Sequence, residues 1–330
     1  LIEIGGTGKS PYPAASEHSD AKGDLSYAFA IDTEKFKYVT LKMVKEAGVD
    51  ILFHTYFSDV IMEGNRVAGI IIENKSGRQA VYGKTIIDAS GDGDVAFKAG
   101  VPFWHTRHDE TPRLNDCLMY RVAGIPKENK IHGCQYEDTM VLWGPTPGPA
   151  NGADGSELTE EEIKVRLAVY EDLQKKKESN PDLKDALIID TGALLGIRQT
   201  RFIEGLYKIT AEDVIEGRSF EDSVAMAANP IIHYYGYRRY LEHEGYEIPY
   251  RCLLPQKVSG LIVAGRCMSS DQQAYESWRA MAHVMAIGEA AGTAAALAVK
   301  NNVEPAKLDV KLLQKQLMEQ GAEIGQGKGR

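Results

Sequence analysis

The chain has 330 residues, 43% apolar and 26% charged, with a formal net charge of −9. That is ordinary globular composition with material for more than one core, and the acidic balance excludes a surface built to neutralise nucleic-acid phosphates. The four cysteines, Cys117, Cys134, Cys252 and Cys267, form no CxxC pair, which argues against structural zinc; so few cysteines in a chain this long fit a reducing compartment, and a cytoplasmic setting is expected.

Residues 1–24 are rich in Gly, Ser and Pro and read as loop. Within them, Gly5-Gly6-Thr7-Gly8-Lys9-Ser10 has the look of a phosphate-binding loop, but Glu3 stands where that loop needs Gly, and no strand precedes it. Asp32 or Thr33 caps a predicted helix over 33–47, with an apolar stripe of Phe36, Val39, Met43, Val44 and Ala47 and a closing Gly48. Short β-like runs follow at 49–54, 67–73 and 79–82, with turn signals at Gly64-Asn65 and Ser76-Gly77. Residues 85–90 read as a buried strand that opens through Gly91-Asp92-Gly93 into a short helix ending at Gly100.

From 104 to 250 the pattern changes. Pro and Gly cluster over 144–155, which predicts an exposed excursion. Thr159-x-x-Glu162 is a capping box before a helix with Ile163, Leu167, Tyr170 and Leu173 on one face. A second box, Thr210-x-x-Asp213, precedes Val214 and Ile215. After 251 the α/β pattern returns: an apolar strand over 261–264 runs into Gly265-Arg266, a helix covers 278–299, and Pro305 starts an amphipathic helix through Leu313 and Leu317. The apolar run 284–299 is interrupted by Glu289 and is too short and too rich in Ala and Gly to predict a membrane span. There is no internal repeat.

Gly91-x-Gly93-x-x-Ala96 formally matches the dinucleotide fingerprint. Asp92 and Asp94 on the same turn would repel a diphosphate, and no second strand ending in an acidic residue follows. Two readings stay open: a plain strand–helix turn, or a turn whose glycines let the backbone approach a cofactor while Asp92 accepts from a hydroxyl or caps the helix. Gly288, Ala291, Gly292 and Ala295 read as close packing against a sheet. The start of that helix, around Ser277–Met281, presents unpaired N–H groups and a positive dipole end, with Arg266 or Arg279 adding charge. Arg198, Arg201, His233 and Arg251 complete the polar candidates, each weighed against an ordinary surface or structural role. His105-Thr106-Arg107-His108-Asp109 lacks a spacing that sets ligands on one face, so no metal site is expected.

The stretch Ile86 to Ala96 followed by Ala99-Gly100-Val101-Pro102-Phe103 resembles the FAD-dependent oxidoreductase family. So do Gly196-Ile197-Arg198-Gln199-Thr200-Arg201 leading to Glu204-Gly205, Ile248-Pro249-Tyr250-Arg251-Cys252-Leu253 running on to Leu261-Ile262-Val263-Ala264-Gly265-Arg266-Cys267, and the stretch from Met281 to Ala296. Together they cover roughly 25–300. The resemblance implies an α/β fold, α+β overall: an incomplete FAD/NAD(P)-binding Rossmann-like domain interrupted by a substrate domain. The divisions expected are 1–103 (first part of the FAD domain), 104–250 (substrate), 251–300 (return of the FAD domain) and 301–330 (helical tail).

It further implies FAD as cofactor, with Ser90, Gly91, Asp92 and Gly93 near the diphosphate and ribityl chain. Gly265, Arg266, Arg279, Ala280 and Met281 would lie near the isoalloxazine, and the backbone at Phe57 near the adenine. A helix start aimed at the pyrimidine side of the flavin would stabilise its reduced, negatively charged form. Arg198, Arg201 and Arg251 would bind an anionic or hydroxylated small-molecule substrate, and His233 would serve as acid or base.

Two departures stand out. The family opens with a βαβ unit carrying GxGxxG, which this sequence lacks; the expectation is an N-terminally truncated chain that binds FAD weakly or not at all, the alternative a chain that has lost its main cradle. The family's Pro-x-Asp-x-His-like stretch is here Pro230-Ile231-Ile232-His233, without the carboxylate. The function expected is hydride transfer between FAD and a small organic molecule. An NAD(P)-dependent dehydrogenase and a non-catalytic binding module are the rivals; homo-oligomers are left open, and neither nucleic acid nor a membrane span is expected.

Overall fold

A computed structural model describes residues 2–4, 31–105, 114–129, 131, 133–146, 148, 150–232 and 238–325. The Gly5–Ser10 motif, the predicted loop at 5–24, most of the 105–109 stretch and His233 lie outside the described residues. The fold is mixed α/β, and the chain divides into two compact units: Leu1–Leu52 with Leu114–Arg198, and Phe53–Arg113 with Gln199–Arg330.

The first unit holds the helix Thr33–Glu46, capped by Asp32, whose carboxylate accepts from the Glu34 and Lys35 amides. Its predicted stripe is not buried: Phe36 and Val39 are half-covered, and Met43 and Val44 are exposed. The unit's core lies between a four-stranded antiparallel sheet, in order Cys134–Tyr136, Thr139–Leu142, Tyr120–Ala123, Leu187–Thr191, and the helix Gly155–Ser179.

That helix is capped five residues before the predicted box, by Asp154, which accepts from the Ser156 and Glu157 amides. Its buried face is Val165, Val169 and Leu173. Of the predicted face only Leu173 is inside; Ile163, Leu167 and Tyr170 are exposed. The apolar residues form two stripes, and sheet geometry selects the one that meets Tyr120, Val122 and Met140. The 144–155 stretch is only in part the exposed excursion expected: Thr146 and residues 153–155 are exposed, but buried Asp116 accepts from the Ala150 amide at 2.8 Å and donates its own N–H to Gly148 O at 3.3 Å.

The second unit opens with an antiparallel meander, Tyr56–Glu63, Arg66–Asn74 and Gly77–Tyr82. Its first hairpin turns at Gly64-Asn65, as predicted, between paired Glu63 and Arg66. The predicted strand at 49–54 is not one; the first strand begins at Tyr56 instead. The strands Ile86–Asp88 and Leu261–Val263 pair in parallel, in the register Ile86↔Leu261 and Asp88↔Val263. With the meander residue Val67 and the short helix Asp94–Lys98 they enclose a core of Val95, Ala96, Val101, Ile203, Leu261, Val263 and Cys267.

Thr210 and Asp213 form the capping box of Ala211–Glu216 in both directions, as predicted. In the C-terminal part, Gln272–Trp278 is a helix in its own right and Met281–Lys300 a second one. The latter is long and apolar enough, by length and composition, to cross a membrane. It buries Ile287, Ala290, Ala291, Ala294, Leu297 and Ala298, as a core helix does. Gly288 and Gly292 do not pack on a sheet as expected; both are exposed with open space beside them. The final helix, Val310–Glu319, buries Leu313 and Leu317.

Candidate cofactor-binding edge

Two strand ends that lie far apart in sequence leave the parallel pair side by side. The Ala264 amide extends the ladder to Asp88 O at 2.9 Å, and both chains then turn at glycine: Gly91 with φ 81° and Gly265 with φ 105°. A Cβ built on Gly265 would lie 3.9 Å from Gly91 Cα, and one built on Gly91 would lie 2.4 Å from Arg266 Nη1. Both turns call for glycine because L side chains rarely adopt those φ values, and at Gly91 a side chain would also displace the Arg266 guanidinium.

Asp88 fastens the first turn. It is 1% exposed; its Oδ1 accepts from Ser90 N at 3.1 Å and Ser90 Oγ at 2.7 Å, and its Oδ2 accepts from Ala96 N at 2.9 Å. Ser90 Oγ accepts in turn from Asp94 N at 3.0 Å. A single carboxylate therefore ties the strand end to the helix that follows. Sequence reading passed over it, although an Asp two residues before an N–H it can receive is a recognised turn signal.

The two acids that argued against an anion at this turn are neutralised. Asp92 Oδ1 accepts from Arg266 Nη2 at 2.6 Å and from Thr200 Oγ1 at 2.7 Å. Asp94 pairs with Arg201 Nη1 at 2.8 Å. Arg201 also donates to Asp92 O at 3.1 Å, and its guanidinium lies 4.3 Å from the Phe97 ring centre. Two arginines contributed by distant segments thus offset two aspartates on one turn, a balance that no local pattern discloses. Arg266 keeps a buried Nε that has no hydrogen-bond partner among the described residues.

Ala280 is the N-cap of Met281–Lys300, with extended backbone and no side-chain cap, so the first-turn amides are left for solvent or a ligand. Ser277, expected at this start, is instead buried in the last turn of the preceding helix, where its Oγ accepts from Tyr246 OH at 2.8 Å. Arg279 and Ala280 form the link between the helices, and Met281 is 61% exposed. Phe57 lies in the first meander strand opposite Ile72 and packs on the core behind the edge.

The other polar candidates are dispersed. Arg251 is held by Asp222 through two bonds, Nε to Oδ2 at 2.9 Å and Nη2 to Oδ1 at 3.1 Å, beside the Tyr207 ring. Arg198 closes the first unit, its amide donating to Asp116 Oδ1 at 3.1 Å.

Two adjoining glycine turns at positive φ, a buried guanidine N–H without a partner among the described residues and an uncapped helix start are what an elongated, partly anionic group needs, so the residues fit a flavin dinucleotide. The family comparison decides the matter: the model of the FAD dependent oxidoreductase family matches residues 6–145 and 131–317. The chain belongs to the FAD-dependent oxidoreductase family. Membership makes it a flavoprotein enzyme with a redox role and FAD as cofactor.

Among solved structures, a triple mutant of the flavin-dependent brominase Bmp2 is similar in fold, with a TM-score of 0.50 and 13% identity over 96% of this chain and 69% of that one. A geranylgeranyl bacteriochlorophyll reductase-like protein from Thermoplasma acidophilum gives 0.46 and 14%, over 96% and 67%. The myxobacterial chondrochloren halogenase CndH gives 0.46 and 14%, over 97% and 65%. No curated protein matches the chain.

Proposed function

We propose that the two adjoining glycine turns, Ser90–Gly93 and Gly265–Arg266, together with the Arg279–Met281 link, are the part of the FAD site that this chain contributes, and that the protein transfers hydride between FAD and a small organic molecule. The observation that carries this reading is the backbone approach of Gly91 and Gly265 at the carboxyl edge of one parallel strand pair, where α/β sheets bind ligands. Ser90, Gly91 and Gly93 would line the diphosphate and ribityl chain, and Asp92, already an acceptor from Thr200 and Arg266, would orient Arg266 toward the bound group. Arg266, Arg279, Ala280 and Met281 would border the isoalloxazine, with the backbone at Phe57 meeting the adenine.

The 104–250 stretch is the proposed source of substrate contacts, with His233 as acid or base and Arg198, Arg201 and Arg251 as groups for an anionic or hydroxylated substrate. Arg201 and Arg251 already have carboxylate partners, so they would act as positioned ion pairs rather than as bare cations. FAD supplies the hydride chemistry when bound; the chain's own contribution is to hold the turns rigid, offset charge and keep the helix start open. Four free cysteines support placing the protein in a reducing, cytoplasmic setting.

The test is flavin uptake by the protein expressed from its full reading frame, followed by the visible absorbance of the bound flavin. Wild type should come out yellow. Gly265→Val should lose flavin while its circular dichroism stays native, because a β-branched residue resists φ 105° and so re-aims this one turn without touching the cores. A folded wild type that takes up no flavin, or a Gly265→Val protein as yellow as wild type, would sink the reading.

A further inference from the structure

The helix Gly155–Ser179 carries two apolar faces, and the fold uses one. Val165, Val169 and Leu173 enter the core, while Ile163, Leu167 and Tyr170 stand 55%, 73% and 66% exposed. Single exposed apolar residues are ordinary, but several aligned on one element form a patch, and patches mark interaction sites. The line continues at the same alternating spacing of three and four, through Glu160 before it and Gln174 and Lys177 after it. That is the spacing by which two helices pack along a seam. On its flank Arg166 donates to the carbonyls of Gly192 and Ala193, both at 3.2 Å, and Glu162 accepts from the Leu195 amide at 2.8 Å. The loop held there carries the exposed Leu194, which adds apolar surface beside the helix.

Charge along this helix is divided by end. Glu157, Glu160, Glu161 and Glu162 lie near its amino terminus, and Lys175, Lys176 and Lys177 near its carboxyl terminus. Glu161, Glu162 and Lys176 pair within the helix, with Lys164, Arg166 and Asp172. Glu160 and Lys177, the two ends of the seam, have no ion-pair partner among the described residues. An antiparallel copy of the same helix, related by a two-fold axis midway between Ala168 and Val169, sets Glu160 against the second copy's Lys177, Ile163 against its Gln174 and Leu167 against its Tyr170. The symmetry repeats each pair. A parallel copy would set Glu160 against Glu160 and Lys177 against Lys177, so charge selects the antiparallel arrangement.

We propose that the outer face of Gly155–Ser179 is the interface of a homodimer, in which two copies of this helix pack antiparallel along Ile163, Leu167 and Tyr170 and are closed at both ends by Glu160–Lys177 pairs. The occupant of the seam is a second copy of this chain. The stripe lies outside the core, so one copy keeps its fold without it and the dimer separates on dilution. The cofactor edge belongs to the other compact unit, and the pairing requires no flavin.

Light scattering coupled to size exclusion, on the protein expressed from its full reading frame and run over a range of concentrations, tests this. Wild type should move from the mass of one copy to the mass of two as concentration rises. Leu167→Lys should stay at one copy throughout while its circular dichroism remains that of wild type. Glu160→Lys and Lys177→Glu should each raise the dissociation constant about fivefold, and the two together should restore it, because exchange of the charges rebuilds both pairs. These two side chains lie outside the core, so the charge exchange still decides the matter if Leu167→Lys does not fold. A wild type of one copy at every concentration, or a dimer that Leu167→Lys leaves intact, overturns the inference. So does a double charge variant that dimerises no better than either single one. A one-copy wild type whose thermal midpoint falls on Leu167→Lys would assign the stripe to another part of the full-length chain and overturn it equally.

Discussion

At Asp88 one carboxylate receives three hydrogen bonds from the turn it precedes. Asp88→Asn replaces one acceptor with a donor that faces donors, which costs on the order of 1–3 kcal/mol for a buried group; the urea midpoint should fall accordingly, and an unchanged midpoint would show that the turn holds without it. Glu276 makes a second residue-scale prediction. Burial pushes its carboxyl up to about 7, above the ordinary 4.5, so between those values the native state keeps a proton that the unfolded chain has released. Its stabilising contribution is fully present below about pH 4.5 and is lost as pH climbs to about 7, on the order of 3 kcal/mol in all. The thermal midpoint of Glu276→Gln should decline less than that of wild type over that window.

Among the elements, the helix Gly155–Ser179 shows how packing chooses between two apolar stripes. Val165, Val169 and Leu173 face the sheet, while Leu167 is 73% exposed. Leu173→Ala should destabilise the protein by about 2–5 kcal/mol through the cavity it leaves, and Leu167→Ala should stay within about 0.5 kcal/mol. Equal denaturant midpoints for the two variants would contradict the assignment of the buried face. The break between Gln272–Trp278 and Met281–Lys300 matters for the same reason: a continuous helix over 278–299 would bury in its interior the amides that the break leaves open at Met281.

For the whole molecule, each unit has its own core, and the cofactor edge belongs to the one that includes Phe53–Arg113 and Gln199–Arg330. A ligand that binds only the native state raises its stability by mass action, so FAD at about a hundred times its Kd should add about 2.7 kcal/mol. A rise in thermal midpoint that scales with FAD concentration, absent in Gly265→Val, is the expected result of differential scanning calorimetry. The Thr210-x-x-Asp213 capping box, the Gly64-Asn65 hairpin turn and the strand–glycine–helix junction at Gly91 were legible from the residues because their causes are local: a side chain reaching a nearby amide, or a glycine supplying a positive φ. The family was legible because several such junctions recur in a set order. What stayed hidden depended on partners distant in sequence. Arg266 and Arg201 neutralise Asp92 and Asp94 only because strands Leu261–Val263 and Arg201–Ile203 lie against the first turn, and only the folded sheet decides which of two apolar helix faces meets a core. Backbone conformation is settled within a few residues, whereas charge balance and burial are settled by whatever the rest of the chain brings alongside.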